Sequence, residues 1–306
     1  MIMSSKELLK EYKKNAMTPF EVEKLEFAGV GEHDVYNITA PFLLNGERLL
    51  AGRVEARDSE ESNIYFFTKQ DGVWVKKEDA ITFKMQDPFI TFIQNELVIG
   101  GVETYPLPEN KEALGWRTVF YKGKTLDNLE KIFVGPKGMK DLRLVEQSDG
   151  TIGVFTRPQG EKGGRGKIGY ACIEDLSDLT IEVIENAPLF EDQFLDEEWG
   201  GCNEIHVLKD GTLGVLGHIG SFDEKGNRHY YSMTFQMNPV TRERTKLRLL
   251  AIRNNFLEAE AKRSDLVDVV FSGGLVRHSN GTATLYAGIG DACAQSITIV
   301  DPFLGL

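Results

Sequence analysis

Gln86-Asp87-Pro88-Phe89-Ile90 and, after a polar break, Ile99-Gly100-Gly101-Val102-Glu103-Thr104 read as two paired β-strands, the first opening on a polar dipeptide and the second ending on polar residues. The same arrangement recurs along the chain. First strands open at Tyr36-Asn37, Gln86-Asp87, Lys140-Asp141, Asn203-Glu204 and Ser272-Gly273, with partners at Ala51–Glu55, Ile99–Thr104, Gly153–Pro158, Gly214–Gly220 and Leu285–Asp291. From Asn37 to Asp87, Asp141, Glu204 and Gly273 the steps are 50, 54, 63 and 69 residues. A repeat of about 50 residues with about four strands each is the signature of a β-propeller blade. The pattern predicts one all-β domain, a five-bladed propeller whose inner strands open into a shared central pocket.

Turn dipeptides support this reading. Asn45-Gly46, Asp149-Gly150, Asp210-Gly211 and Asn280-Gly281 fall between inner strands and their partners, and Asp71-Gly72 between two outer strands. The predicted blades span about 33–80, 86–135, 140–187, 201–250 and 269–306, the last completed by a strand at Lys24–Val30. Ser4 and Glu7 form a candidate capping box for a helix over Met1–Met17, with Leu8, Leu9, Tyr12 and Ala16 on one face. Asn254–Val267 reads as a helix between the last two blades. Glu191–Gly201 is a long acidic loop, and Gly160–Gly166 reads as a mobile hairpin rather than a phosphate loop, because no Gly-Lys-Ser/Thr ending follows it.

Composition narrows the function. The 306 residues are 41% hydrophobic and 27% charged, with 35 basic and 47 acidic side chains and a net charge of −12. No basic stripe points to nucleic acid, and no apolar run approaches the ~20 residues of a membrane span. Cys172, Cys202 and Cys293 fit neither a disulfide framework nor a zinc pattern, which suits a reducing cytoplasm. His33, His206, His229 and His278 make no close ligand set, so no metal is expected.

Several polar residues sit where the predicted pocket would be. Arg53, Glu55 and Arg57 alternate and so share a face of one strand. Charges there are costly against a dry core, so the face lines either a pocket or solvent. Glu103 occupies the corresponding strand of the second blade. Asn37 opens the first blade and Asp291 ends the last partner strand. Asp87 opens an inner strand, where it faces the channel or caps the turn before Pro88. Glu204 follows the Gly200-Gly201 pair, as a pocket carboxylate or a solvent-facing one. Trp199 and Tyr36 offer aromatic faces to a sugar or to the core.

The ordered motifs resemble those of the five-bladed glycosidase and phosphorylase families. Gln86-Asp87-Pro88-Phe89-Ile90 is similar to the Glu-Asp-Pro-Arg motif of glycoside hydrolase family 130, the mannosyl phosphorylases and mannosidases. Lys140-Asp141 with Thr156-Arg157-Pro158 resembles its Lys-Asp and His-Arg-Pro pair. Gly217-His218-Ile219-Gly220 resembles its Tyr-His-Gly motif, and Val270–Gly274 with Tyr286–Asp291 its closing blade. Over residues 33–300 the chain looks still more like the domain of unknown function family 1861. The resemblance implies a carbohydrate-active enzyme that hydrolyses or phosphorolyses a small, β-mannoside-like glycoside.

The roles it implies are Asp87 as proton donor, with Glu204 and Asp141 orienting the sugar or activating water. Asn37, Arg53, Glu55, Glu103 and Asp291 would bind the sugar, and Lys140, Arg157 and His218 would hold phosphate or another anion. No cofactor is expected, inorganic phosphate entering as co-substrate if the reaction is phosphorolysis. The chain departs from the family pattern at Phe89, at Thr156 and at Gly200-Gly201-Cys202-Asn203-Glu204. A non-catalytic sugar-binding or sensing propeller is therefore the alternative. A protein-binding platform of the WD-repeat type lacks its recurring Gly-His and Trp-Asp pairs.

Overall fold

The computed structural model describes residues 2–15, 18–110 and 113–304. The chain is mostly β, and each predicted strand run falls within an observed strand or overlaps one. The first sheet runs from Asp34–Tyr36 and Phe42–Leu44 through Glu47–Glu55 and Ser62–Gln70 to Val73–Lys76. A four-stranded sheet follows over residues 86–134, then a three-stranded one over 143–173. The remaining strands form one eight-stranded sheet. Within it, the antiparallel runs over 199–251 and 268–300 join only through a two-residue parallel contact, His229 with Asp268 and Tyr230 with Val269.

Local chemistry explains the hairpins. Asn45 and Asp71 have φ of 52° and 48° and each precedes a glycine with positive φ, the pair that a tight turn matching strand twist requires. At Asp149, Asp210 and Asn280 the side chain instead accepts from the N–H two residues on. Gln94-Asn95 makes a turn of the first kind without glycine.

Apolar faces meet at five junctions. Leu49 and Phe66 pack with Leu97 and Val119. Phe89 and Val98 pack with Leu144 and Val154. Phe155 and Tyr170 pack with Val215 and Phe235. Leu216 packs with Val270 and Leu285. Val35 and Leu50 pack with Tyr286 and Ala294, so the last strands pack against the first and the series returns to its start.

Three expectations need correction. The strand that completes the last sheet is Glu21–Lys24, antiparallel to Cys293–Val300, and not Lys24–Val30. Phe27–Ala28 instead pairs in parallel with Val73–Lys76 of the first sheet. Asn254–Val267 is not a helix but two short 3-10 turns, Arg253–Asn255 and Ser264–Leu266, with irregular chain between. There the Arg253 guanidinium takes the carbonyls of Phe256, Leu257 and Ala259, which helical N–H groups would otherwise claim. Gly160–Gly166 contains a helical turn, Gly160–Gly163, pinned by Lys162 Nζ to the carbonyls of Glu185 and Ala187.

The N-terminal helix spans Ser5–Asn15 with its capping box formed: Ser4 N–H donates to Glu7 Oε2 at 2.8 Å and Glu7 N–H to Ser4 Oγ at 3.2 Å. Leu8 is buried, with Leu9 and Tyr12 packed beside it. Met1, Ala16 and Met17, expected in this helix, lie outside the described residues.

Candidate active site

Each inner strand is interrupted at the same point. The ladder slips between Gln86 and Phe89, between Cys202 and Glu204, and between Ser272 and Gly274. Asn37, Asp87 and Asp141 take φ of 44°, 51° and 60° at the corresponding positions. A bulge residue leaves the ladder and re-aims its side chain, and Asn and Asp tolerate the left-handed region best among residues with a Cβ. The polar openers are thus turned together. Asn37 Nδ2 donates to Asp87 Oδ1 at 2.8 Å. In the fourth repeat the bulge residue is Asn203, one place before the expected Glu204.

On one side, carboxyls surround Arg53. Its Nη1 is 3.2 Å from Asp87 Oδ1 and its Nη2 2.6 Å from Glu55 Oε2, with all three side chains largely buried. Glu55 also accepts from Tyr36 Oη at 2.7 Å, from Ser62 and from Lys262. Burial alone would raise the Glu55 carboxyl. Arg53, followed by Lys262, Ser62 and Tyr36, outweighs it and holds the group at about 2. Asp291 (φ 52°) lies in the turn after its strand rather than ending it. Burial raises its pKa, Arg53 opposes, and the Asp87 charge raises it further.

On the other side, two guanidinium groups and an imidazole surround Asp141. Arg157 Nη1 lies 3.2 Å away, Arg143 Nη2 3.7 Å and His218 Nε2 3.8 Å. Burial pushes Asp141 up, but Arg157, His218, Arg143 and Lys140 together bring it to about 2. Burial dominates at His218 and lowers it to about 3 against the pull of Asp141, so the ring is neutral at physiological pH. Its Nδ1 is 2.9 Å from Asn203 Oδ1. His218 therefore brings a neutral ring, and no positive charge, to the site. Arg157 Nη1 and Asp141 Oδ2 are engaged with each other, and Asn37 Oδ1 and Asn203 Nδ2 are buried without a hydrogen-bond partner among the described residues, two open valences in one region.

Beside Asp141 a cleft of about 330 Å³ opens, with Lys140, Arg157, Arg165 and Arg228 in its walls and no carboxylate. Lys140 and the Arg165 and Arg228 side chains form no ion pair among the described residues. Arg165 lies over the Trp199 and Phe222 rings at 5.9 and 5.6 Å, and Arg228 over Phe222 at 5.7 Å, its Nε buried and unpartnered. In a chain of net charge −12, these unneutralised cations concentrate positive potential in one cleft.

The structure thus brings together Asn37, Arg53, Glu55, Asp87, Lys140, Asp141, Arg157, His218 and Asp291. It does not bring in Glu204, which accepts from Leu275 N–H at 2.6 Å and meets His206 at 2.8 Å. Glu103 faces Arg117 and Lys131 on the outer part of its strand. Arg57 leaves the shared face for Asp34. Tyr36 is core, 1% exposed, and Trp199 donates to Tyr230 Oη at 2.7 Å. The residues missed are Arg143, Asn203, Lys262, Arg165 and Arg228. Arg143 stands 4.9 Å over the Phe89 ring, so a guanidinium is present beside the position where the motif's arginine is missing. The Gly200-Gly201 pair makes room for site residues rather than for a ligand. A Cβ on Gly201 would stand 2.9 Å from Asp141 Oδ2 and 3.0 Å from Arg157 Cδ.

Solved structures are similar over nearly the whole chain. A mannose phosphorylase from Leishmania mexicana, in complex with phosphate ion, is 32% identical with a TM-score of 0.89, over 97% of this chain and 93% of that one. A GDP-Man-dependent mannosyltransferase from the same organism is 32% identical with a TM-score of 0.89, over 99% and 96%. A β-1,2-mannobiose phosphorylase from Listeria innocua shares the fold at 15% identity and a TM-score of 0.62, over 93% and 92%. No curated protein matches the chain. The family model described as protein of unknown function (DUF1861) matches residues 11–305, and the chain belongs to that family.

Proposed function

We propose that the protein is a glycoside phosphorylase acting on a small, β-mannoside-like glycoside. The observation that carries this reading is the cleft of unpaired cations, Lys140, Arg165 and Arg228, joined through Arg157 to the buried Asp141. Water needs no such cleft; a phosphate nucleophile does. The Leishmania mannose phosphorylase with phosphate supports the same direction. Asp87 and Asp291 form the acid pair beside Arg53. Burial shifts Asp291 towards its protonated form, and Asp87, hydrogen-bonded in place by Asn37 and Arg53, shares the acid role with it. Asp141 holds Arg157, and Asn37 and Asn203 bind hydroxyls.

The five-bladed, single-domain reading is part of this proposal. The eight-stranded sheet counts as two blades sharing a two-residue parallel contact, which matches the five apolar junctions. A cytoplasmic location is proposed from three free cysteines. Among the described residues no helix is long and apolar enough to cross a membrane.

A second reading takes Arg165 and Arg228 as the grip for a diphosphate, making the chain a transferase from a sugar nucleotide. The GDP-Man-dependent neighbour favours it. The test is sugar release from a panel of β-mannosides with and without phosphate, alongside transfer from a sugar nucleotide, for wild type and Asp87→Asn. Phosphate-dependent turnover lost in the variant supports the phosphorylase. Phosphate-independent turnover makes it a hydrolase, and sugar-nucleotide consumption alone a transferase. No turnover with retained sugar binding returns the non-catalytic alternative.

A further inference from the structure

Trp116, 39% exposed, lines the cationic cleft and also a second cavity of about 500 Å³. The two spaces share Trp116 and Gln159 as a common boundary. Both fall in the range of small-molecule pockets, roughly 300–1,000 Å³. Phe222, the other exposed aromatic of the cleft, has its ring covered by Arg165 and Arg228. No ring or cation stacks on Trp116 among the described residues.

The outer cavity differs from the inner one in charge. Its walls carry Lys137, Lys162 and Glu185, and Lys162 is already committed to two backbone carbonyls. Lys162 keeps its charge but has two of its three donors spent, so Lys137, Gln159 and Glu185 are left to meet a ligand, a mixed set of donors and acceptors that suits hydroxyls. Its walls are also chain extensions of the inner site. The turn Pro136–Met139 leads directly into Lys140, and Pro158-Gln159 follows Arg157. Gly138, at φ 76°, donates its N–H to the Trp116 carbonyl at 2.7 Å and fixes the indole's strand against that turn.

We propose that Trp116 and the cavity behind it form an outer subsite for a further hexose unit, so that the substrate is an oligosaccharide and not only a disaccharide. The inference rests on the glycoside reading of the inner site. The indole offers an apolar face to the C–H face of a sugar ring, while Lys137, Gln159 and Glu185 meet its hydroxyls. Trp116 is a specificity residue and takes no part in bond cleavage.

The experiment compares β-manno-disaccharide and trisaccharide phosphorolysis by wild type, Trp116→Ala and Trp116→Phe. In wild type, kcat/KM is expected to rise from disaccharide to trisaccharide. In Trp116→Ala the trisaccharide-to-disaccharide ratio should fall about tenfold, mainly through KM, the loss of about 1.4 kcal/mol of stacking. Trp116→Phe should recover most of it. A ratio unchanged in Trp116→Ala overturns the subsite while leaving the phosphorylase reading intact. If wild type turns over neither sugar, that reading fails, and calorimetric titration with the same two sugars decides the subsite. Tighter binding of the longer sugar, lost in Trp116→Ala, supports it; equal binding, or none, overturns it.

Discussion

The Asn37 carboxamide donates to Asp87 Oδ1 at 2.8 Å, joining the bulges of two successive sheets across fifty residues of chain. Arg53 holds the same oxygen at 3.2 Å. Asp87→Asn keeps the shape and tolerates the left-handed backbone. It should lower kcat by about 10²–10⁴-fold, the span of a general acid–base contribution, with sugar binding retained by calorimetry. Asn37→Ala should cost less. Wild-type rates in Asp87→Asn would remove Asp87 from the chemistry.

A proton on Asp291 gives the rate an alkaline limb. Burial raises this carboxyl above the usual value of about 3.9, and the neutral form is the acid, so activity should fall as pH rises through the raised pKa. Asp291→Asn cannot ionise, and its residual kcat/KM should lose that limb. A profile of unchanged shape would assign the limb to another group.

Acid should unfold the protein through Glu55 and Asp141. Both are held at about 2, below their unfolded values of about 4, so their contribution is present above the unfolded pKa and is lost as pH falls towards 2. Thermal midpoints measured from pH 6 down to pH 2 should drop most steeply below pH 4. Asp141→Asn should flatten that drop and cost about 3–5 kcal/mol at neutral pH, because Arg157 is left buried without its counter-charge.

Gly201→Ala tests how tightly the Asp141 side of the site is packed. The added methyl would meet Asp141 Oδ2 at 2.9 Å, Arg157 Cδ at 3.0 Å and His218 Cε1 at 3.1 Å. The expected cost is about 1–3 kcal/mol, read by denaturant titration, with a raised KM for phosphate as Arg157 shifts. Unchanged stability and KM would show that the site is looser than its geometry.

The strand and turn pattern made the architecture legible, because alternation and Asn-Gly or Asp-Gly turns are local signals. The polar openers were legible for the same reason: Asn37, Asp87 and Asp141 sit at the one point where each inner strand breaks its ladder. Glu204 misled because bulge register is not local. Cys202 and Glu204 both stay in the ladder, and the extra residue between them, Asn203, is set by pairing with a strand ten or more residues away. Arg165, Arg228 and Lys262 arrive from loops and outer strands, and no spacing in the sequence announces where such side chains end. The charge of His218 was not legible, since its burial depends on residues from several sheets.

The pairing of Glu21–Lys24 with Cys293–Val300 sets a timetable for synthesis. The strand at Glu21–Lys24 must wait for a partner made some 270 residues later. Until then Val22 has no ladder partner, and the strand Thr282–Ile289 keeps a bare edge. Contacts this distant in sequence are slow to form, and exposed strand edges are where nascent chains aggregate. The closing step of folding is therefore also the step at which the newly made chain is most exposed to its neighbours, and the one at which a chaperone would matter most.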